Sequence, residues 1–168
     1  MEKTISVINS MQQERIFERY AIAGGIAAMF YTEPVTTFDL DIFIILRTTE
    51  GQVISLSPIY SWLTERGYIP EREQVIIEGS LVQFFPVYNE LTEQAVLNSV
   101  EYTIGNTSTY VISREYLFAI MMQTGRSKDH ERMQIFWDEA EMDVSELEKI
   151  VDIFNLNDQY RRFHEQRK

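Results

Sequence analysis

Thr37-Phe38-Asp39-Leu40-Asp41-Ile42-Phe43-Ile44-Ile45-Leu46 is the stretch on which the reading of this chain turns. Side chains alternate along a strand, so Phe38, Leu40, Ile42, Ile44 and Leu46 share one face, and Asp39, Asp41, Phe43 and Ile45 share the other. Both faces turn apolar after Asp41, which is the pattern of a strand covered on both sides. Two aspartates therefore stand together at the entrance to a buried strand, with Cα atoms about 6–7 Å apart. Partly desolvated carboxylates repel, and one takes a raised pKa unless a cation compensates. Hard oxygen donors suit Mg2+, which is commonly held by one or two carboxylates together with substrate phosphates. The plainer alternative is a pair of solvated aspartates at a strand end.

Upstream, Tyr20 to Ala23 reads as a short strand that stops at Gly24-Gly25 and restarts as a helical turn, Ile26 to Tyr31. Such a turn is either a phosphate cradle, where glycine admits close approach to backbone N–H groups, or simply a tight turn. Residues 4–18 read as helix on the spacing of Ile5, Ile8 and Met11. The strand at Thr37–Leu46 is bounded by Pro34 before it and by the polar run from Arg47 to Gly51 after it. Pro58–Arg66 is a predicted helix stopped by Gly67. Gln74–Ile77 and Leu81–Val87 form a predicted hairpin around Glu78-Gly79-Ser80, Asn89–Asn98 a helix, and Glu101–Ile104 with Thr109–Ile112 a second hairpin turning at Gly105-Asn106.

From residue 113 the apolar period becomes helical. Leu117, Ile120, Met121 and Thr124 follow a helix face with Ser113 as N-cap and Gly125 as the stop. Met133, Phe136, Trp137 and Ala140 repeat that pattern, as do Leu147, Ile150, Val151 and Phe154. The expected class is α+β, a mixed sheet with flanking helices in residues 1–112 and a helical segment in residues 113–168 packed on it.

Composition narrows the chemistry. The 168 residues contain no cysteine and only His130 and His164, so thiol catalysis and Cys- or His-rich metal sites are excluded. With 26 Asp+Glu against 15 Lys+Arg, the net charge of −11 opposes general affinity for nucleic acid or an anionic membrane. The segment from Met1 to Arg19 lacks the apolar core of a signal peptide, and the longest apolar run is far too short to span a bilayer, so a cytoplasmic location is expected.

Gly24-Gly25 followed by Thr37-x-Asp39-Leu40-Asp41 resembles the signature of the nucleotidyltransferase superfamily, a Gly-Gly or Gly-Ser turn followed by two carboxylates on the next strand. A second block, Ser113-Arg114-Glu115-Tyr116-Leu117 with Ala119 and then Gly125-Arg126-Ser127-Lys128-Asp129, is similar to the AbiEii-like branch associated with toxin–antitoxin systems. The resemblance spans residues 20–136. It implies that Asp39 and Asp41 hold Mg2+ on the phosphates of a nucleoside triphosphate, while Gly24, Gly25 and Thr37 form the phosphate turn. An acceptor hydroxyl on RNA, a protein or a small molecule would attack the α-phosphorus, and pyrophosphate would leave.

The chain departs from the family pattern at several points. On the strand Val82-Gln83-Phe84-Phe85-Pro86, the third carboxylate is replaced by Gln83, an amide that offers no charge and cannot act as a base; Glu78 across the hairpin is a candidate substitute. Val35 stands where an Arg is often found, and Met121 where a Lys sometimes is. A nucleotidyltransferase fold with impaired catalysis, acting through a protein partner such as an antitoxin, is the competing implication. Arg126 and Lys128 read either as phosphate ligands or as part of a helix start capped by Ser127 or Asp129. His130 reads as surface, Tyr102, Tyr110, Tyr116, Phe84 and Phe85 as core, and the basic run Arg161–Lys168 as a solvated last helical turn.

Overall fold

The strand carrying the aspartate pair is the middle member of the sheet. The computed structural model describes residues 1–33, 37, 39–47 and 54–167. The expectations for Pro34, Val35, Phe38, Gly51 and Lys168 lie outside these residues. Among the described residues seven strands form one mixed sheet: β1 (Arg19–Ala23), β2 (Asp39–Ile45), β3 (Pro70–Glu71), β4 (Gln74–Ile77), β5 (Ser80–Pro86), β6 (Val100–Ile104) and β7 (Thr107–Val111). Their order is β3-β4-β5-β2-β1-β7-β6. β2 runs antiparallel to β1 and parallel to β5, and β1 runs parallel to β7.

Helices flank this sheet: α1 (Glu2–Gln13), α2 (Gly24–Ala28), α3 (Ser57–Glu65) and α4 (Glu90–Leu97), then α5 (Arg114–Thr124), α6 (Ser127–Glu139), α7 (Val144–Ile153) and α8 (Asn157–Gln166). Leu40, Ile42 and Ile44 of β2 are buried, as are Ile22 of β1 and Val82 and Phe84 of β5. α1 lies against this face. The buried Tyr20 hydroxyl donates to Asn9 Oδ1 at 2.7 Å and lies 3.0 Å from Thr109 Oγ1, tying α1 to β1 and β7. The opposite face is lined near its centre by the small Ala21 and Ala23, and there α5 packs against α2 and α4. The α4 N-cap Asn89 accepts the Thr92 N–H and also donates to Gln123 of α5 at 2.6 Å.

The predicted first helix, residues 4–18, is too long. It ends at Gln13 because Arg15 takes a φ of +61° and the chain reverses, burying Phe17 and passing the Glu18 N–H to Ile45 O. The helical turn expected at Ile26–Tyr31 begins two residues earlier, at Gly24. Both hairpins form as expected, the first about the two-residue turn Glu78-Gly79 with φ values of +48° and +83°. β3 and the separation of α7 from α8 were not expected. The latter break falls where Asn155 takes φ +56° and Leu156 turns inward. Gly125 ends α5 with φ +60°, and Ser113 caps its start.

The long-range consequence is that β2 orders both halves of the sheet. Ile42→Ala in the fully buried centre of β2 is expected to cost about 2–5 kcal/mol. Urea unfolding checks this, with the midpoint lowered and the slope unchanged.

Candidate active site

Ala23, the last residue of β1, pairs with Asp41, so the chain turns into α2 directly over that aspartate. Gly24 adopts φ +60°, and a Cβ there would collide with Asp41 Oδ2 and sit 2.9 Å from its Cγ. A Cβ on Gly25 would meet Thr37 Oγ1 at 2.7 Å and its Cβ at 2.8 Å. Gly24 is therefore required by contact and by conformation and Gly25 by contact alone, and Gly24, Gly25, Thr37 and Asp41 come together. α2 has only five residues, too few for a substantial helix dipole; what the turn provides is bare backbone at close range.

From this turn a cavity of about 330 Å³ opens between the sheet and the C-terminal helices. Gly24, Asp41, Arg126, Asp129 and Arg132 line it. The lining also includes Phe43, Phe85 and Tyr88 from the sheet side, and Leu117, Ile120, Met121 and Thr124 of α5, with the Tyr88 hydroxyl close enough to Arg126 and Asp129 to feel their charges. The fold thus brings residues separated by about a hundred positions in the chain to one hollow.

Burial pushes the Asp41 carboxyl above the usual range, with a further push from Asp39; Lys128, Arg126 and Arg132 pull it down. No ion pair or hydrogen bond joins those cations to Asp41 among the described residues. Asp129 is fully buried and holds Arg126 in a fork, Nε to Oδ2 at 2.7 Å and an η-nitrogen to Oδ1 at 3.2 Å, while also accepting the Arg126 backbone N–H at 3.3 Å. The Gly-Arg-Ser-Lys-Asp block is accordingly a built corner: Gly125 ends α5, Asp129 caps α6, and Arg126 is aimed at the cavity. The capping reading holds, with Asp129 rather than Ser127 as the capping side chain, and the same carboxylate holds Arg126, which also lines the cavity. Lys128 is exposed and lies outside the cavity lining.

The other half of that sequence block has a structural task. Arg114 donates to the carbonyls of Ala140 and Glu141 at 2.7 and 3.0 Å, and Glu115 accepts the Asp143 N–H at 3.0 Å, clamping the start of α5 to the turn between α6 and α7. His130 is exposed, as expected. Within the basic tail Arg161 pairs with Asp158, while Arg167 folds back on Gln134 and Asp138.

Gln83 stands in register with Asp41 on the neighbouring parallel strand, on the same face. Its amide donates to Glu73 Oε2 at 3.2 Å. Glu78, the expected substitute, points elsewhere: its carboxylate accepts the Tyr68 hydroxyl at 2.7 Å. Among the described residues no three His, Asp or Glu side chains are grouped to hold one metal ion. Asp39 and Asp41, two apart on one strand face, are the carboxylates that could hold a cation here, a hard-oxygen pair of the kind that suits Mg2+.

Sequence reasoning missed Arg132, Tyr88 and Glu73, and it assigned Phe85 to the core. Phe84 is buried, but Phe85 follows Gln83 by two and so faces the cavity. That alternation was available in the sequence; so was the i, i+3 spacing of Asp129 and Arg132. Glu73 had no local signal, because it reaches Gln83 only through the β4–β5 pairing.

Family models give no match to this chain, and a search of curated proteins gives no significant relative. Solved structures do share its fold. The antibiotic-resistance factor ANT(2″)-Ia in solution aligns over all of both chains at 13% identity and a TM-score of 0.51. A crystal structure of ANT(2″)-Ia in complex with adenylyl-2″-tobramycin aligns over 93% of this chain and 98% of that one, at 12% identity and a TM-score of 0.51. An antigenic nucleotidyltransferase-like protein from Paracoccidioides brasiliensis aligns over 80% and 75%, at 15% identity and a TM-score of 0.50. The architecture of this chain is thus a nucleotidyltransferase fold, and at these identities the likeness is one of fold.

Because the folded Asp41 carboxyl binds its proton more tightly than the unfolded chain does, that stabilisation is present at low pH and lost as pH rises through the folded value. Asp41→Asn is expected to raise the Tm of the metal-free protein at pH 7, by about 2–4 °C for each kcal/mol recovered. The gap between variant and parent should close as pH falls into the ordinary carboxylate range, which thermal unfolding at stepped pH would show.

Proposed function

We propose that this protein is a metal-dependent nucleotidyltransferase, moving a nucleoside monophosphate from a triphosphate to an acceptor hydroxyl. One observation carries the reading: Asp41, with Asp39 beside it on the same strand face, lines one cavity together with Arg126 and Arg132, under the glycine turn, and among the described residues no ion pair joins the aspartates to these arginines. A metal-bound polyphosphate satisfies both sides at once, since it presents a cation to Asp39 and Asp41 and anionic oxygens to the arginines.

Asp39 and Asp41 would hold Mg2+, which when bound neutralises the triphosphate and the charge gathering on the leaving pyrophosphate. Arg126, held by Asp129, and Arg132 bind phosphate oxygens from the α6 side. Gly24 and Gly25 let the backbone reach the phosphates, with Thr37 beneath them. The acceptor oxygen bonds to the α-phosphorus as the bond to the bridging oxygen of the β-phosphate breaks. Gln83, its NH2 held by Glu73, can offer its amide oxygen to orient an acceptor hydroxyl, whose proton leaves to solvent. A net charge of −11 favours an uncharged or cationic acceptor over nucleic acid. A small-molecule hydroxyl, of the kind that carries adenylyl in the ANT(2″)-Ia complex, is in keeping with this, in the cytoplasm where triphosphates are supplied.

The amide at Gln83 favours a second reading, a nucleotide-binding module that acts through a protein partner. The sequence blocks Ser113–Leu117 and Gly125–Asp129 support assigning it to the AbiEii-like branch, with an antitoxin as the partner.

Calorimetry with Mg2+ and ATP tests the shared part. Binding is expected for the parent and lost in Asp39→Ala/Asp41→Ala, and Arg132→Ala should weaken it by about tenfold or more, as for loss of a hydrogen bond to a charged group. Absence of binding by the parent removes both readings. Labelled nucleotide incubated with cell extract separates them, because transfer that disappears in Asp39→Ala marks the enzyme.

A further inference from the structure

We infer that two copies of this chain pair through the outer edge of β6, antiparallel and edge to edge, in a weak and reversible dimer. β6 is the last strand on its side of the sheet, and among the described residues no strand pairs with its outer side. An unpaired edge is a template for another strand, and chains blunt it with short length, proline, charge or a bulge. The opposite edge is blunted in that way: β3 has two residues, one of them Pro70, and Glu71 is followed directly by Arg72 and Glu73. β6 carries a single charge and none of the other devices. It runs for five residues, Val100-Glu101-Tyr102-Thr103-Ile104, and pairs with β7 without a bulge, from Val100 opposite Val111 to Ile104 opposite Thr107. All of these except Glu101 are strong strand formers.

The occupant that fits this edge is a second copy, because the five residues are symmetric in character about Tyr102. Antiparallel pairing about a two-fold axis at that residue sets Tyr102 against Tyr102, Val100 against Ile104 and Glu101 against Thr103. Aliphatic side chains then meet aliphatic ones, and no like charges stand opposite each other. Val100, 41% exposed in one copy, gains cover from Ile104 of the other. Sliding the register by two residues leaves only three of the five pairs, and in one direction it sets Glu101 against Glu101. Phe30 and Tyr31 pack on Tyr102, at 4.8 and 6.2 Å between ring centres, and so hold the middle of the strand in place before a second copy arrives. Joining two β6 edges consumes the bare edge of each copy and leaves the blunted β3 edge outermost at both ends, so assembly closes at two. A five-residue strand pair is small beside the about 1,600 Å² of a standard interface, and each copy carries a net charge of −11, so the pairing is weak. β6 stands three strand spacings from β2, about 14 Å, and pairing takes none of the cavity residues.

Sedimentation velocity of the full chain over a wide concentration range tests this. The parent is expected to pass reversibly from monomer to dimer and no further, and added salt should tighten the dimer by screening the charge on each copy. Glu101 and Thr103 are both exposed, so substitutions there leave the fold intact, which circular dichroism checks. Thr103→Glu sets a carboxylate opposite Glu101 of the second copy, twice in each dimer, and should weaken pairing by about threefold or more. Thr103→Lys sets an ammonium there and should tighten it by about threefold or more. Glu101→Lys/Thr103→Lys places like charges opposite each other again, and should pair more weakly than Thr103→Lys although its net charge is smaller in magnitude. A chain monomeric at every concentration, or association that continues past the dimer, would overturn the inference. So would a dimer that these variants leave unchanged, or one whose strength follows net charge alone, with the double variant tighter than Thr103→Lys.

Discussion

The repulsion between Asp39 and Asp41, held at the mouth of the most enclosed strand, governs the arrangement around them. A carboxylate partly removed from water and set beside another is a cost that the fold maintains by anchoring β2 on both flanks. β1 delivers Gly24 against Asp41, where any side chain would collide, and β5 brings Gln83 alongside. The buried face of β2, with Leu40, Ile42 and Ile44, supplies the burial that keeps the acidic entrance in place. Stability is thus concentrated on one face of the strand and an unfavourable charge placement on the other, a division expected where a site must hold charges ready for a ligand.

A second carboxylate is treated in the opposite way. Asp129 is more deeply buried than Asp41 but fully paired, and it offers Arg126 two side-chain contacts and a backbone contact. Burial is tolerable there because each oxygen has a donor. The contrast separates roles: Asp129 is an organiser that fixes the direction of a cation, whereas Asp41 is left short of positive charge. Arg132, on the same helix, completes a cationic wall facing that deficit. Electrostatic complementarity in the cavity is therefore incomplete in one specific sense, since both signs are present but a gap separates them.

Much of this was legible residue by residue. The doubly apolar run after Asp41 located the central strand, Ser113 and Gly125 bounded α5, and the turns at Gly79 and Gly105 placed the two hairpins, because these signals depend on neighbours within a few positions. The end of α1 was misjudged because Ile5, Ile8 and Met11 report a helical face but say nothing about Arg15 adopting a left-handed conformation. Phe85 was misassigned because an aromatic residue in a strand reads as core on either face until the opposite layer is known. Local sequence has no means of choosing Ser127 or Asp129 as the cap of α6, and the buried fork from Asp129 to Arg126 decides it.

From its sequence alone this chain determines a carboxylate pair at a strand entrance, a glycine turn one helix earlier, and an amide, Gln83, on a second apolar strand. These are properties of spacing, and spacing along a strand dictates which side chains share a face. Only the tertiary structure decided that Gly24 rests on Asp41, that Glu73 rather than Glu78 answers Gln83, and that α5 and α6 close a cavity lined by aromatic rings and by Arg126 and Arg132. Those contacts join residues far apart in the chain through sheet pairing and helix packing, and no local periodicity encodes which distant surface a side chain will meet.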